Sequence, residues 1–189
     1  MRVIAGTLRR RMLDAPAGLK TRPTSDRLRE TLFSVLAPRI EGARFLDLYA
    51  GSGAVGIEAA SRGAESVVLV ERAVPALKVL RSNLEQLGLR RGVRVEAMSV
   101  GAFLRRVRPE SAAMRFDVVF LDPPYEAEEE YAMALGSLGG AVVGLLAEGA
   151  VVIAEHRRRD KLAGAYGTLC RVRVLELGEA GLSFYEAAN

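Results

Sequence analysis

Three carboxylates stand where short apolar runs end. Asp47, Glu71 and Asp122 each close a run of apolar residues that has the length of a buried strand. In an open sheet of parallel strands, the carboxyl ends of the strands meet at one edge, and ligands bind there. The spacing therefore predicts a ligand site at one sheet edge, built around side chains that accept hydrogen bonds and attract positive charge.

A glycine-rich turn follows the first of these carboxylates. The stretch from Phe45 to Gly56 reads FLDLYAGSGAVG, and Gly51, Gly53 and Gly56 match the pattern G-x-G-x-x-G of nucleotide-binding turns. A strand, a glycine turn and a helix N-terminus together present free backbone N–H groups. In a chain with 19 glycines this pattern has little specificity by itself.

Glu71 and Asp47 narrow the choice of ligand. Glu71 lies about twenty residues after the turn, where an acidic side chain accepts both hydroxyls of a ribose, whether from NAD or from S-adenosylmethionine. Asp47 would repel a pyrophosphate but attract the ammonium group of the methionine part of S-adenosylmethionine. Each residue has a plain alternative, a turn or cap for Asp47 and a solvated strand end for Glu71. Together they favour S-adenosylmethionine as the cofactor.

A second motif, Asp122-Pro123-Pro124-Tyr125, follows the apolar run at 116–121. Two consecutive prolines hold the backbone extended and out of the sheet, which fixes Asp122 and the Pro123 carbonyl as acceptors. Such acceptors suit an exocyclic amine of a base, and Tyr125 offers a face on which an unstacked base can lie. Because a sulfonium is already activated, positioning and electrostatics can supply most of the acceleration. In isolation the motif would be an ordinary turn, but after the glycine turn it favours methylation of a base amine.

Alternating strand and helix patterns position these motifs. The strands are predicted at 44–49, 66–71, 92–97, 116–121 and 149–155. The helices are predicted at 54–62, 73–87, 99–107 and in pieces between 126 and 146. This alternation predicts a mostly parallel α/β sheet with helices on both faces, and two final runs, 168–177 and 181–187, predict a closing antiparallel hairpin.

Residues 1–40 form a basic section in front of the predicted core at 41–189. The runs 2–5 and 8–13 predict a hairpin around Gly6-Thr7, and a helix capped by Thr24 or Ser25 is expected to follow and to end near Pro38. Residues 1–30 carry eight basic side chains against three acidic ones, and the whole chain has a net charge of +4. An anionic partner, nucleic acid above all, is therefore expected, although ion pairing alone would also use arginines.

Composition sets the remaining expectations. With 189 residues, half of them apolar, the chain is expected to form one domain, and no apolar run approaches the roughly 20 residues of a membrane span. The single Cys170 excludes an internal disulfide and a cysteine-based zinc site, and its neighbours predict a small core residue. The single His156 is expected at the surface and cannot build a metal site. A cytoplasmic, metal-free monomer without a signal peptide is the expectation.

These motifs resemble those of the amino-methylating class I methyltransferases. DLYAGSGAVGIEA at 47–59, the strand ending in Glu71 and DPPY at 122–125 carry that resemblance. RVIAG at 2–6, the Arg9–Arg11 run and TRPTSDRLRETLF at 21–33 resemble the bacterial 16S ribosomal RNA guanine-N2 methyltransferases of the RsmD type.

The resemblance implies a Rossmann-like fold with seven strands, S-adenosylmethionine as cofactor and a guanine in small-subunit ribosomal RNA as substrate. The cofactor-binding residues predicted on this basis are Asp47, Tyr49, Gly51, Ser52, Gly53, Glu71, Arg72, Ser99, Val100 and Asp122. The base is predicted to meet Asp122, Pro123, Pro124 and Tyr125. RNA is predicted to contact Arg9, Arg10, Arg11, Arg22 and Arg27.

One position departs from the class. Many members carry an acidic residue after the third strand, where it accepts the amine of the cofactor's adenine, but the equivalent here is Ser99. Because a hydroxyl is a weaker acceptor, adenine is expected to be held mainly by backbone near Val100. The cluster Arg157–Arg159 matches nothing in the family pattern.

Other functions fit part of the pattern. Adenine-N6 methylation of DNA uses the same Asp-Pro-Pro-Tyr chemistry, but such enzymes usually add a target-recognition domain for which 189 residues leave little room. A non-enzymatic RNA-binding protein would not need the rigid acceptor pair. An NAD-dependent oxidoreductase would need a hydride-handling acid or base that the sequence does not offer.

Overall fold

A computed structural model describes residues 1–15, 26–107, 115–124 and 128–188. The helices in these ranges are α1 (Asp26–Ile40), α2 (Ala54–Ser61), α3 (Val74–Gln86), α4 (Val100–Arg106) and α5 (Glu128–Leu138), with a 3-10 turn at Val143–Leu145. The strands are β1 (Arg44–Asp47), β2 (Ser66–Glu71), β3 (Val93–Ala97), β4 (Phe116–Leu121), β5 (Leu146–Arg157), β6 (Ala165–Tyr166), β7 (Leu169–Leu177) and β8 (Ala180–Ala187).

The strands form one sheet in the order β3-β2-β1-β4-β5-β8-β7-β6. The first five strands are parallel, and β8 and β7 close the sheet as the predicted antiparallel hairpin. Seven strands were expected and eight are present in the described residues, because the two-residue β6 pairs with the outer side of β7. From β1 the strands β2 and β3 are added toward one edge of the sheet, whereas β4 and β5 are added toward the other. The strand order therefore reverses between β1 and β4, and a crevice opens beyond their carboxyl ends.

Two apolar layers cover the sheet. Residues of α1, α2 and α3 pack on one face, around Phe33 and Phe45, whose rings stack with centroids 6.3 Å apart. Residues of α4 and α5 pack on the other face around Phe103 and Leu135. Burial of both faces explains why β1, β2 and β4 read as continuous apolar runs.

The N-terminal segment, residues 1–15, lies against the carboxyl-terminal half of α2. The buried Glu58 accepts hydrogen bonds from the backbone N–H groups of Ile4 and Ala5 at 2.8 and 3.0 Å. The predicted hairpin is reduced to one antiparallel bridge between Arg2 and Met12, with a broader turn at 5–10. Gly6 explains the broader turn, because a Cβ there would lie 1.8 Å from a carbonyl oxygen of α2.

The first helix ends close to the predicted position. It begins at Asp26 and continues two residues beyond Pro38 to Ile40. The predicted caps Thr24 and Ser25 lie outside the described residues.

Two single-residue expectations were wrong. His156 is only 4% exposed, because β5 continues through Arg157 and pairs His156 with Gly181, whose missing side chain leaves room for the imidazole ring. Its Nε2 atom lies 2.9 Å from the Ser183 hydroxyl. Cys170 is exposed, because Leu169 faces the core and the alternation of a strand turns the next side chain outward.

Candidate active site

The predicted carboxylates gather at the carboxyl edge of the sheet. Asp47 is the last residue of β1, Glu71 is the last residue of β2, and Asp122 follows β4 directly. These strands are neighbours, and Asp47 stands in register with Phe120 of β4. The crevice beyond β1 and β4 is therefore bordered by acceptor groups from three adjacent strands.

The glycine turn between β1 and α2 uses its glycines for different reasons. Gly51 and Gly53 have φ angles of 54° and 84°, in the left-handed region that side chains disfavour. Gly56 is needed for space, since a Cβ there would come within 2.2 Å of the Leu69 side chain on β2. The first two glycines thus shape the turn, and the third lets α2 approach the sheet closely.

Glu71 is bonded to the turn that it faces. Its Oε2 accepts the N–H of Gly51 at 2.9 Å, and its Oε1 accepts the N–H groups of Arg72 and Ala73 at 2.8 and 2.7 Å. A carboxylate offers about four acceptor sites, so capacity remains after these three bonds. The carboxylate is consequently fixed in place before any ribose hydroxyl arrives.

Asp47 is buried with one oxygen unpaired. The residue is 1% exposed, and its Oδ1 has no hydrogen-bond partner among the described residues. Burial above all raises its pKa to about 7; the charges of Glu71 and Glu155 act in the same direction, and the N–H groups of Tyr49 and Gly56 oppose them. A buried acceptor without a partner is costly, and a cationic donor would relieve that cost. The site therefore fits the ammonium group of an amino acid.

The Asp-Pro-Pro segment leaves the sheet as expected. Pro123 is buried, Pro124 is exposed, and Asp122 keeps some exposed surface. Burial raises the pKa of Asp122 well above its ordinary value, and the charges of Glu155 and Asp47 add to the shift. Tyr125 lies outside the described residues, so its role stays a prediction.

Two features of this edge were missed by the sequence analysis. Glu155, near the end of β5, is 2% exposed and places a further buried carboxylate beside Asp122. The signal was available, because Glu155 ends an apolar run just as Asp47 and Glu71 do. The Tyr49 hydroxyl donates a hydrogen bond to Oε2 of Glu130 at 2.7 Å, which ties the glycine turn to α5.

The remaining predicted cofactor residues flank the turn and α4. Ser99 caps α4, its Oγ accepting the N–H of Ala102 at 3.3 Å, so the hydroxyl is already engaged as an acceptor. Val100 is buried directly after it, and Arg72 is exposed after β2. The Ser99 hydroxyl therefore has less capacity left for an adenine amine, and the roles of Ser99, Val100 and Arg72 stay predictions.

The predicted RNA-binding arginines that the structure describes lie on the N-terminal segment and on α1. Arg9, Arg10 and Arg11 are exposed in the N-terminal segment, which contacts α2 and α3 near their carboxyl-terminal ends. Arg27 is exposed on α1, and Arg22 lies outside the described residues. None of these described arginines is among the residues at the carboxyl ends of β1, β2 and β4, and their contact with RNA stays a prediction.

Two classes of site find no support in the described residues. No group of three or more histidine, cysteine, aspartate or glutamate side chains there has the arrangement of a metal site. Within the same ranges, no helix combines the length and the apolar character that a membrane span requires.

A protein-family model described as Conserved hypothetical protein 95 matches residues 1–186. The chain belongs to this family. A Bacillus subtilis relative named "Putative rRNA methyltransferase YlbH" is 37% identical over 186 residues, which make up 98% of each protein. An Escherichia coli relative named Ribosomal RNA small subunit methyltransferase D is 42% identical over 127 residues, which make up 66% of this chain and 60% of that protein.

Solved structures agree with the family assignment. A Thermus thermophilus protein designated TTHA0928 matches with a TM-score of 0.77 and 36% identity over 99% of both chains. An RNA methyltransferase from Salinibacter ruber, crystallised with S-adenosyl-L-homocysteine, matches with a TM-score of 0.62 over 86% of this chain and 92% of that one. At 18% identity this second likeness shows the fold alone. The predicted resemblance to ribosomal RNA methyltransferases of the RsmD type is confirmed, and so is the predicted Rossmann-like methyltransferase fold.

Proposed function

We propose that this member of the Conserved hypothetical protein 95 family transfers a methyl group from S-adenosylmethionine to the N2 amine of a guanine in 16S ribosomal RNA. The observation that carries the proposal is the meeting of two acceptor sets at one crevice. Asp47 ends β1 and the glycine turn follows it, and Asp122 and Pro123 follow the adjacent β4. The names of the relatives support ribosomal RNA as the substrate.

The residues beyond β1 and β2 fit the cofactor. Asp47 offers a buried, unpartnered oxygen to the ammonium group, and Glu71 offers a prearranged carboxylate to the ribose. When bound, S-adenosylmethionine supplies an electrophilic methyl group on a positively charged sulfur. The charges of Glu155 and Asp47 raise the pKa of Asp122, and a cationic ligand would relieve this repulsion whereas a pyrophosphate would add to it.

The residues beyond β4 orient the acceptor. Asp122 and the Pro123 carbonyl accept the two hydrogens of the amine, so that its lone pair is drawn out of conjugation with the ring. As the nitrogen gains its new bond it becomes more acidic, and a nearby carboxylate takes the released proton. Asp122 is the carboxylate placed for this role, because in its ionised form it already accepts one of the amine hydrogens. Choice of guanine over adenine rests on the resemblance of residues 2–33 to the RsmD type.

Nucleoside analysis of 16S ribosomal RNA tests the proposal. A strain in which the gene for this chain is deleted is expected to lack one N2-methylguanosine that the parent strain carries, and a plasmid copy is expected to restore it. An unchanged nucleoside profile, or loss of a different modified nucleoside, would contradict the proposed substrate.

Replacing Glu71 with alanine is expected to weaken S-adenosylhomocysteine binding by about 10- to 150-fold, the scale of a lost charge-assisted hydrogen bond. The exposed Glu65, just before the other end of β2, offers a matched control. Calorimetric titration should show wild-type affinity for Glu65→Ala and weakened affinity for Glu71→Ala. Equal affinity of the two variants would remove Glu71 from the site.

Affinity for S-adenosylhomocysteine is expected to rise with pH. Because the pKa of Asp47 is about 7 in the free protein, the carboxyl is largely protonated below that pH and must lose its proton to pair with an ammonium group. Binding should tighten by about tenfold between roughly pH 6 and pH 8. The stability of the free protein is expected to change with pH in the opposite direction. The folded protein favours the protonated form of Asp47, so the stability that Asp47 contributes is present at low pH and is lost as pH rises through about 7.

Calorimetry across this pH range, on the wild type and on Asp47→Asn, distinguishes the source of the effect. The asparagine variant cannot ionise and should bind with an affinity that varies little with pH. A wild-type affinity that does not change, or an equal pH dependence in the variant, would show that Asp47 does not face the ligand.

A further inference from the structure

Asn83 on α3 connects two distant segments of the chain through one buried amide. The residue is 1% exposed. Its Oδ1 accepts the N–H of Asp14 at 2.8 Å, and its Nδ2 donates to the carbonyl oxygens of Asp14 at 3.1 Å and of Ser52 at 3.0 Å. All three bonds are long-range in sequence, so none of them serves the helix that carries the residue.

Asp14 is the residue of the basic N-terminal segment that Asn83 binds. Its backbone N–H and C=O are both held by Asn83, and its carboxylate accepts a hydrogen bond from Nε2 of Gln86 at 3.1 Å. Arg11 donates to the Gln86 carbonyl oxygen at 3.1 Å. The segment that carries the predicted RNA-binding arginines is therefore fastened to one turn of α3.

Ser52 is the residue of the glycine turn that Asn83 binds. It lies between Gly51 and Gly53, both of which have left-handed backbone. The N–H of Gly51 is held by Glu71 on one side, and the carbonyl of Ser52 is held by Asn83 on the other. Since glycine-flanked peptides rotate easily, these two side-chain contacts hold the turn in one orientation.

We propose that Asn83 is a positioning residue that couples RNA binding by the N-terminal segment to cofactor binding at the glycine turn. The inference rests on the proposed function. The two N–H donors of one amide group serve the two segments, so fixing Asp14 through bound RNA also fixes the amide that orients Ser52. A contact that both ligands favour links their affinities, and the linkage is reciprocal.

Two substitutions separate coupling from general stability. Asn83→Asp keeps the size of the side chain and the acceptor for Asp14 N–H, but it turns an anionic oxygen toward two carbonyl oxygens. Gln86→Ala leaves the Ser52 contact intact and removes the hold on the Asp14 carboxylate. Glu85, which is exposed on the same turn of α3, supplies the control variant Glu85→Ala.

The experiment is calorimetric titration of S-adenosylhomocysteine into each protein, alone and with a saturating full-length 16S ribosomal RNA transcript. Wild type and Glu85→Ala are expected to bind at least about fivefold more tightly with RNA. In Asn83→Asp this ratio should fall to near one. Without RNA, Gln86→Ala should bind S-adenosylhomocysteine as tightly as wild type does, and RNA should increase that affinity less than it does in wild type. If circular dichroism shows that Asn83→Asp does not fold, the result for Gln86→Ala tests the coupling by itself.

The outcomes distinguish this inference from the proposed function. If wild type binds both S-adenosylhomocysteine and RNA but shows a ratio of one, or if both α3 variants keep the wild-type ratio, the coupling is overturned and the proposed function stands. If wild type binds neither ligand, both are overturned.

Discussion

Replacing Asp122 with alanine is expected to reduce methyl transfer by about a hundred- to ten-thousandfold, the range typical of a positioned acid or base. The carboxylate orients the amine and receives its proton, and both interactions strengthen as the nitrogen forms its new bond. S-adenosylhomocysteine affinity should change little, because Asp47 and Glu71 hold that ligand from β1 and β2. The fold should persist, since Asp122 lies outside the strands and keeps some exposed surface.

Single-turnover methylation of small ribosomal subunits with labelled S-adenosylmethionine measures this loss. Glu129→Ala is the matched control, because Glu129 is an exposed carboxylate near the start of α5, the next element described after Asp122. A control variant with wild-type turnover beside a nearly inactive Asp122→Ala is the expected result. Turnover within a few fold of wild type in Asp122→Ala would remove the residue from the reaction.

The second large effect concerns the N-terminal arginines. Changing Arg9, Arg10 and Arg11 to glutamine together is expected to weaken RNA binding by roughly ten- to a hundredfold and to reduce the slope of log affinity against log salt by about two to three. Because these side chains belong to the N-terminal segment and not to the set of residues at the carboxyl ends of β1, β2 and β4, their loss is expected to act on RNA binding and not on the transfer step. KM for RNA should therefore rise while kcat stays near the wild-type value.

A control with the same loss of charge replaces Arg115, Arg171 and Arg173, which are exposed and precede β4 or lie on β7. Filter binding at several salt concentrations, together with steady-state kinetics, compares the two triple variants. If both variants lose affinity equally, the effect reflects net charge. If the N-terminal variant loses kcat instead, the arginines act on the reaction and not on remote binding.

The ends of the apolar runs were the most informative part of the sequence. Asp47, Glu71 and Asp122 were predicted at the carboxyl ends of strands, and the structure puts them there, because a strand buried on both faces reads as a continuous apolar run. Prediction of the glycine turn succeeded for the same local reason: Gly51 and Gly53 adopt backbone angles that only glycine accepts readily.

Contacts between distant segments could not be read in this way. His156 follows an apolar run and precedes three arginines, yet it is buried because Gly181, far along the chain, leaves space for its ring. Asn83 and Glu58 look like ordinary polar positions on helices, and only the folded chain shows which backbone groups they bind. Local pattern thus predicted the strands and the site edge, whereas tertiary pairing decided which polar residues are buried.

The most direct test of the proposed reaction is incubation of the protein with labelled S-adenosylmethionine and, in parallel reactions, small ribosomal subunits or DNA from a strain that lacks the gene, followed by nucleoside digestion. The predicted result is label in N2-methylguanosine, absent when Asp122→Ala replaces the wild type. Label in N6-methyladenine from DNA, with none in ribosomal RNA, would contradict the account and favour a DNA methyltransferase.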